Sequence, residues 1–185
     1  MGRVIVALLA VALSIGVVGC RGVAAQQEEA TTVRVLQESL DVRGRAARTF
    51  DLSQFSQYFV DDPNVPLTPA QAETVIRLAP GTVPVGFLTY MRVYYEDWRR
   101  GAEAFQRVEQ AVRASQKPDP SDVRAAVPPR EDAMRVPGIK VLKFEMSPVG
   151  RAYIEADVDG FLFKVTLVKR GDRWYIAGEQ RAMMP

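Results

Sequence analysis

The sequence predicts an α+β fold in which N-terminal helices pack against a C-terminal four-stranded antiparallel sheet. Two observations support this fold class. Apolar residues recur every three or four positions from residue 28 to residue 115, which is a helical period, and every second position from residue 139 onward, which is a strand period. A proline-rich segment, residues 116–137, separates the two patterns and predicts a long loop. With 185 residues, of which 48% are hydrophobic, the chain is long enough for one domain with its own core.

Four helices are predicted from the period and from local start signals. Gly44 weakens the first of them. Thr68, Pro69 and Gln71 form the clearest start, because they combine an N-cap threonine, a proline at the first helical position and a capping-box glutamine. The helices span residues 28–48, 52–59, 69–79 and 86–115, with one further turn at 121–126. The longest carries an apolar stripe that predicts its buried face: Phe87, Met91, Tyr94, Trp98, Ala102, Phe105, Val108 and Val112.

Four strands are predicted in the C-terminal part, joined by tight turns into an antiparallel meander. Asp159-Gly160 is a two-residue hairpin signal that fixes the register of the two central strands. This register pairs Ile154 with Val165 on an apolar face and Glu155 with Lys164 on a polar face. The strands span residues 139–146, 151–158, 161–169 and 173–177.

The chain begins with a hydrophobic leader. Residues 4–19 carry no charge and follow Arg3, which is the layout of a secretory signal. As a helix this run would reach only ~24 Å, short of the ~30 Å hydrocarbon core of a bilayer, so a cleaved signal is favoured over a permanent membrane anchor.

The end of the leader, Val17-Val18-Gly19-Cys20, resembles the lipobox of bacterial lipoproteins. The resemblance implies cleavage before Cys20, a diacylglycerol on its sulfur and often a further fatty acid such as palmitate on the new amino terminus. The chain then divides into a signal peptide at 1–19, a lipidated polar tether at 20–30 and a domain at 31–185. The alternative is an ordinary secretory signal cut after Val23-Ala24-Ala25, which would leave an unlipidated start at Gln26.

The order of elements in the domain resembles the NTF2-like, or ketosteroid isomerase-like, α+β cone. Helices come first, one of them long and aromatic, and the sheet ends in a strand that begins Gly171-Asp172-Arg173-Trp174. The resemblance covers about residues 31–180 and implies a curved sheet wrapped around the helices, often with a pocket inside. It also implies an outer sheet face of the kind that commonly mediates dimers in this superfamily.

The residue inventory argues against catalysis. The two central strands present no ionisable group on their inward face, and general acid–base catalysis needs one in the pocket. The family's enzymes use an acid with tyrosines, or a histidine, and this chain has no histidine. We therefore carry over no catalytic residue from the family.

Metals, cofactors and nucleic acid are likewise not expected. Zinc and transition-metal sites draw on histidine and cysteine, and the single cysteine lies beside the leader. Asp157 and Asp159 are too few for a calcium loop. The 24 basic and 22 acidic residues give a formal charge of +2, which offers no electrostatic reason to expect a nucleic-acid partner.

Two groups of residues are candidates for binding. Tyr90, Tyr94 and Trp98 on the long helix are candidates for a ligand pocket, although the same spacing is typical of core packing. Four residues on the outer sheet face mix polar and aromatic character, as interfaces often do, although an ordinary solvated face would look the same. These interface candidates are Tyr153, Leu162, Lys164 and Tyr175.

Three functional classes follow from these observations. The first is an extracytoplasmic, non-catalytic binding or assembly module of the cell envelope, held at the membrane through lipid on Cys20, with a second copy or an envelope protein as partner. The second is an NTF2-like enzyme or carrier for a small apolar molecule, which would require a cavity beside Tyr94 and Trp98. The third is a structural component that spaces a complex from the membrane.

Overall fold

The computed structural model describes residues 2–128 and 137–183, and for residues 2–22 and 24 it describes the backbone alone. Within these residues helices come first and strands follow, and the two layers share one hydrophobic core. This arrangement confirms the predicted α+β class. The predictions for the side chains of the leader, including the sulfur of Cys20, lie outside what the structure describes, as does the part of the proline-rich segment at 129–136.

The predicted helices are present with adjusted ends. The capping box at Thr68 is confirmed, since Thr68 Oγ1 accepts the Gln71 N–H at 3.3 Å and Gln71 Oε1 accepts the Thr68 N–H at 3.0 Å. The second helix is one turn long because Phe59 is extended and bridges Ile176 of the sheet. The helices are α1 Gly2–Thr49, α2 Phe55–Tyr58, α3 Pro69–Leu78, α4 Phe87–Arg113 and α5 Pro120–Ala125.

The first helix begins well before the predicted start near residue 28. Its backbone is helical without a break from Gly2 to Thr49, so the predicted tether at 20–30 is part of α1. The sequence explains the difference, because no proline interrupts residues 2–49 and the segment after Cys20 is rich in alanine, glutamine and glutamate, which favour helix. The amphipathic period, in contrast, appears only where α1 meets the domain.

The sheet is the antiparallel meander that the sequence predicts, with strand order β1-β2-β3-β4. The hairpin register is confirmed: Ile154 pairs with Val165, and Glu155 pairs with Lys164. Asp159 and Gly160 both have positive φ, at 51° and 86°, as a tight two-residue turn requires. The strands are β1 Ile139–Ser147, β2 Arg151–Val158, β3 Phe161–Arg170 and β4 Arg173–Met183.

The last strand is longer than predicted and contains a bulge. Its pairing with β3 shifts at Ala177, because Leu167 pairs with Ile176 whereas Thr166 pairs with Gly178. A bulge adds one residue and so reverses the alternation of faces beyond it. Glu179 consequently turns toward the helices and Gly178 turns away from them.

The core lies between the helices and one face of the sheet, which we call the inner face. Phe55, Phe59 and Phe87 are fully buried there, with ring centroids 5.3 Å apart for the first pair and 6.0 Å for the second. The opposite, outer face carries the polar side chains of β2 and β3.

Among the residues whose side chains are described, no helix is long and apolar enough to cross a membrane.

Candidate functional site

A groove of about 300 Å³ lies on the outer face of the sheet. Its floor consists of outward-facing side chains from β2, β3 and β4, together with Glu145 of β1. The segment between α2 and α3 and the start of α3 form one wall. The floor includes Tyr153, Glu155, Lys164, Thr166 and Gln180, and the wall includes Val65, Pro66, Thr68 and Gln71.

Two of the four interface candidates line this groove, and the other two flank it. Tyr153 and Lys164 lie on neighbouring strands in the floor, and the Tyr153 side chain is 43% exposed. Leu162 and Tyr175 are half-buried on the same face, toward opposite ends of the sheet. The sequence therefore predicted the face and two of its groove residues. It did not predict the wall, which comes from a distant part of the chain.

The charges in the groove balance each other. Lys164 Nζ lies 3.7 Å from Glu155 Oε1 across the β2–β3 pair, and Lys143 Nζ lies 2.8 Å from Glu145 Oε1 along β1. All four side chains are at least 37% exposed, so each pair contributes little to stability. Counting Lys143, which lies outside the lining but pairs with Glu145, these two ion pairs carry no net charge.

Two contacts hold the wall against the sheet. The Gln71 side chain donates from Nε2 to the Glu179 carbonyl oxygen at 2.8 Å, in addition to capping α3. At Gly178 a Cβ atom would stand 2.9 Å from Val65 Cγ1, so the glycine allows the wall to approach the strand closely. The wall is therefore held against β4 by a side-chain hydrogen bond and by a close backbone approach.

Behind the groove, on the inner face, β4 contributes a buried ionic cluster. The Glu179 carboxylate accepts hydrogen bonds from both terminal nitrogens of Arg43, at 2.9 and 2.6 Å, and from Arg181 Nε at 2.7 Å. Arg43 and Glu179 side chains are each 4% exposed, whereas Arg181 is 53% exposed. The Arg43 guanidinium also packs over the Phe59 ring, 4.9 Å from its centroid.

As predicted, the buried side chains of the two central strands include no ionisable group. The cluster comes instead from α1 and from the end of β4, and the sequence analysis missed Glu179 and Arg181 because it ended β4 at residue 177. The bulge at Ala177 decides their orientation. The sequence continues its strand alternation after Gly178, which could have extended β4. Without the bulge, however, that alternation would have pointed both charged side chains toward solvent.

The pKa values of Glu179, Tyr90 and Tyr95 are shifted away from neutral pH. Burial opposes ionisation of Glu179, but the attraction and hydrogen bonds of Arg43 and Arg181 outweigh it and lower the pKa of this carboxyl. Burial raises the pKa of Tyr95 to about 12, and it also raises the pKa of Tyr90. Efficient general acid–base catalysis needs a pKa near the working pH, which neither Glu179 nor Tyr95 provides.

The aromatic pocket candidates on α4 pack against one another. Ring centroids are 5.9 Å apart for Tyr90 and Tyr94 and 5.8 Å apart for Tyr95 and Trp98. Tyr94 was predicted in the buried stripe and is 43% exposed, whereas Tyr95 is 7% exposed and contacts Phe55 at 5.1 Å between centroids. Both residues fit a helical step from Met91, and the position of Phe55 selects Tyr95. The groove lies on the other side of the sheet from these rings.

The predicted burial of the far end of α4 is also corrected, since Val112 is 61% exposed. The acids expected at the surface, Glu96, Asp97 and Glu145, are between 44% and 58% exposed, as predicted.

The junction between the predicted tether and the domain is fixed by one carboxylate. Glu28 of α1 accepts a hydrogen bond from Trp174 Nε1 at 2.6 Å and forms an ion pair with Lys169. The hydrogen bonds from Lys169 and Trp174 lower the pKa of Glu28. The helix therefore meets the sheet at the end where β3 turns into β4.

Among the residues with described side chains, no cluster of histidine, cysteine, aspartate or glutamate could hold a metal ion. The fold and the groove define a small α+β protein with an open polar groove on its sheet. No protein-family model, curated protein or solved structure matches the chain. The resemblance to lipoproteins thus rests on Val17-Val18-Gly19-Cys20, and the resemblance to the NTF2-like cone rests on the order of elements and the last strand.

Proposed function

We propose that this protein is a lipid-anchored, extracytoplasmic binding module of the bacterial cell envelope and that it works without catalysis. The groove on the outer sheet face is the observation that carries the binding role, because it combines a shaped concavity with exposed polar and aromatic groups. The leader and Val17-Val18-Gly19-Cys20 support the anchor.

The interior of the fold favours a non-catalytic role. Large side chains such as Phe55, Phe59 and Phe87 are fully buried in it. Its buried acid, Glu179, is ionised and fully engaged by two arginines, and its most buried tyrosine has a pKa of about 12. Neither group is poised to exchange a proton near neutral pH.

The alternative is an NTF2-like enzyme or carrier for a small apolar molecule. The specific observation in its favour is that Tyr90, Tyr95 and Arg181 come together beside Glu179 on the inner face, where the family places its pocket. Substitution of Glu179 would abolish ligand binding or turnover under this alternative. Under the proposed function it changes stability only.

The anchor is tested by the mass of the mature protein. The full-length chain is expressed in a bacterial host, and the wild type is compared with Cys20→Ala. We expect a mass consistent with a diacylated or triacylated start at Cys20 in the wild type and the loss of that mass in the variant. A wild-type protein that starts, unlipidated, at Gln26 would refute the anchor.

The binding role is tested by photo-crosslinking in the same host. A photoreactive amino acid replaces Tyr153 in the groove or, as the matched control, Val112 near the C-terminal end of α4, which is 61% exposed and does not line the groove. We expect an adduct to an envelope component from position 153 that is absent from position 112. Equal labelling from both positions, or none from 153, would contradict a binding role for this face.

A further inference from the structure

The chemistry of the outer-face groove identifies the class of ligand that suits it. This inference rests on the proposed binding role and deepens it. With a volume of about 300 Å³, the groove falls at the lower end of the range for small-molecule sites, roughly 300–1,000 Å³. An occupant of that size is one or two small rings rather than a long chain.

The groove offers an unusual density of neutral hydrogen-bonding groups. Thr166 and Gln180 supply a hydroxyl and an amide group, each of which both donates and accepts. Thr68 keeps a hydroxyl hydrogen to donate, whereas the Gln71 amide is already engaged by the Thr68 N–H and the Glu179 carbonyl. An apolar ligand would take these groups out of water without offering them hydrogen-bond partners, which is unfavourable. A ligand rich in hydroxyl groups satisfies them.

The charged residues of the groove exclude a strongly ionic ligand. Glu155 and Lys164 face each other at 3.7 Å, and Glu145 is paired with Lys143 at 2.8 Å. A multiply charged anion such as a phosphate would lie near two carboxylates, and a cation would lie near Lys164. A neutral molecule avoids both charge repulsions. Its hydroxyl groups can accept hydrogen bonds from the Lys164 amine and donate hydrogen bonds to the two carboxylates.

One aromatic ring completes the site. Tyr153 lies in the floor with 43% of its surface exposed, opposite Thr166 on the neighbouring strand. An aromatic face is electron-rich and favours contact with polarised C–H groups. A sugar ring presents such C–H groups on its face and hydroxyl groups around its edge. We propose that the outer-face groove, with Tyr153 as its platform, binds a neutral saccharide.

The test uses purified full-length protein in detergent and a panel of neutral oligosaccharides: cellobiose, maltose, chitobiose and a β-1,4-linked N-acetylglucosamine trimer. Binding is measured by saturation-transfer NMR and titration calorimetry. We expect a dissociation constant of about a millimolar or somewhat tighter for the best sugar, since the groove is open and small.

Matched variants locate the site. Tyr153→Ala should weaken binding by about tenfold, because it removes the stacking surface. Tyr175→Ala lies on the same sheet face outside the groove lining and should leave affinity unchanged. Lys164→Gln, which keeps a donor, should reduce affinity less than Tyr153→Ala. Circular dichroism confirms that each variant is folded.

Failure of this inference is distinguishable from failure of the proposed function. No detectable binding of any sugar in the panel, or equal loss in the two tyrosine variants, would overturn the saccharide site. A photo-adduct from position 153 that proves to be a protein would overturn the saccharide as well, while leaving the binding module intact. The mass of the mature protein reports the anchor independently of either result.

Discussion

At the scale of single residues, Glu179 shows how the fold tolerates a buried charge. Removing a carboxylate from water is costly, and one ion pair often fails to compensate. Here three hydrogen bonds from two arginines surround the carboxylate, and Arg43 gains a further contact with the Phe59 ring. The cluster joins α1 to β4, which are far apart in the sequence.

We expect Glu179→Gln to lower the free energy of unfolding by about 3–5 kcal/mol at pH 7, because it leaves Arg43 charged and buried without its partner. The control is Glu145→Gln on the outer face, where the ion pair with Lys143 is more than half exposed. That variant should change stability by about 1 kcal/mol or less. Urea denaturation at equilibrium measures both.

A comparison of the wild type with Glu179→Gln at different pH values tests the pKa of Glu179. Because the folded-state pKa of this carboxyl is lowered, its contribution to stability is present above the ordinary value of 4.5 and is lost as the pH falls through the lowered folded-state pKa. The stability gap between wild type and Glu179→Gln should therefore narrow below pH 4.5. A gap that stays constant down to about pH 2 would show that Glu179 contributes by packing rather than by charge.

At the scale of elements, α4 takes its N-terminal cap from another segment. Asp61, in the connection between α2 and α3, accepts hydrogen bonds from the Thr89 N–H at 3.0 Å and the Thr89 hydroxyl at 2.7 Å. The residue before α4 is Gly86, where a Cβ would stand 2.7 Å from the Asp61 Cα. Its φ of 173° is extended backbone, which any residue can adopt. Glycine is therefore required at this position by the close approach of Asp61 and not by the backbone conformation.

A double-mutant cycle tests this remote cap. Asp61→Ala should cost about 0.5–2 kcal/mol, the usual range for loss of an N-cap. Gly86→Ala should cost a similar amount or more, because the new methyl group displaces Asp61 from Thr89. Since both changes remove the same hydrogen bonds, the double variant should be less destabilised than the sum of the single variants. Additive effects would mean that the glycine acts independently of the cap.

The groove belongs to this scale as well. Its floor follows from the strand register, which Asp159-Gly160 fixed locally, so Tyr153 and Lys164 could be assigned to one face from the sequence. Its wall could not, because the contact between Gln71 and the Glu179 carbonyl joins elements that no local pattern relates. Periodicity reports which side of an element is apolar, not which element covers it.

At the scale of the whole molecule, α1 connects the leader to the domain as one continuous helix. Its last half is buried at Leu36 and Ala46, and Glu28 fixes its entry to the sheet through Trp174 and Lys169. Among the described side chains before Glu28, none forms a hydrogen bond or an ion pair with the sheet. The geometry predicts that the contact at Glu28 sets where the helix leaves the domain.

Glu28→Ala should therefore loosen the start of the domain without unfolding it. We expect faster amide hydrogen exchange at residues 23–31 and unchanged exchange at residues 36–46, measured by mass spectrometry on full-length protein. The control is Glu38→Ala, which removes a carboxylate farther along the same helix that pairs with Arg34 at 3.9 Å and hydrogen-bonds Tyr58, but does not contact the sheet at Trp174 or Lys169. Equal acceleration at residues 23–31 in both variants would show that the effect does not depend on the contact of Glu28 with the sheet.

The sequence by itself determined the fold class, the strand order and the register of the central hairpin, because each depends on a local signal: a change of period, a turn or a capping box. It also determined the hydrophobic leader and its cysteine. Only the tertiary structure decided that Tyr95 rather than Tyr94 is buried in the core and that a bulge turns Glu179 inward. It also decided that the segment between α2 and α3 forms one wall of the groove. Each of these depends on which distant surface arrives at a position, and that is settled by packing rather than by the residues next to it.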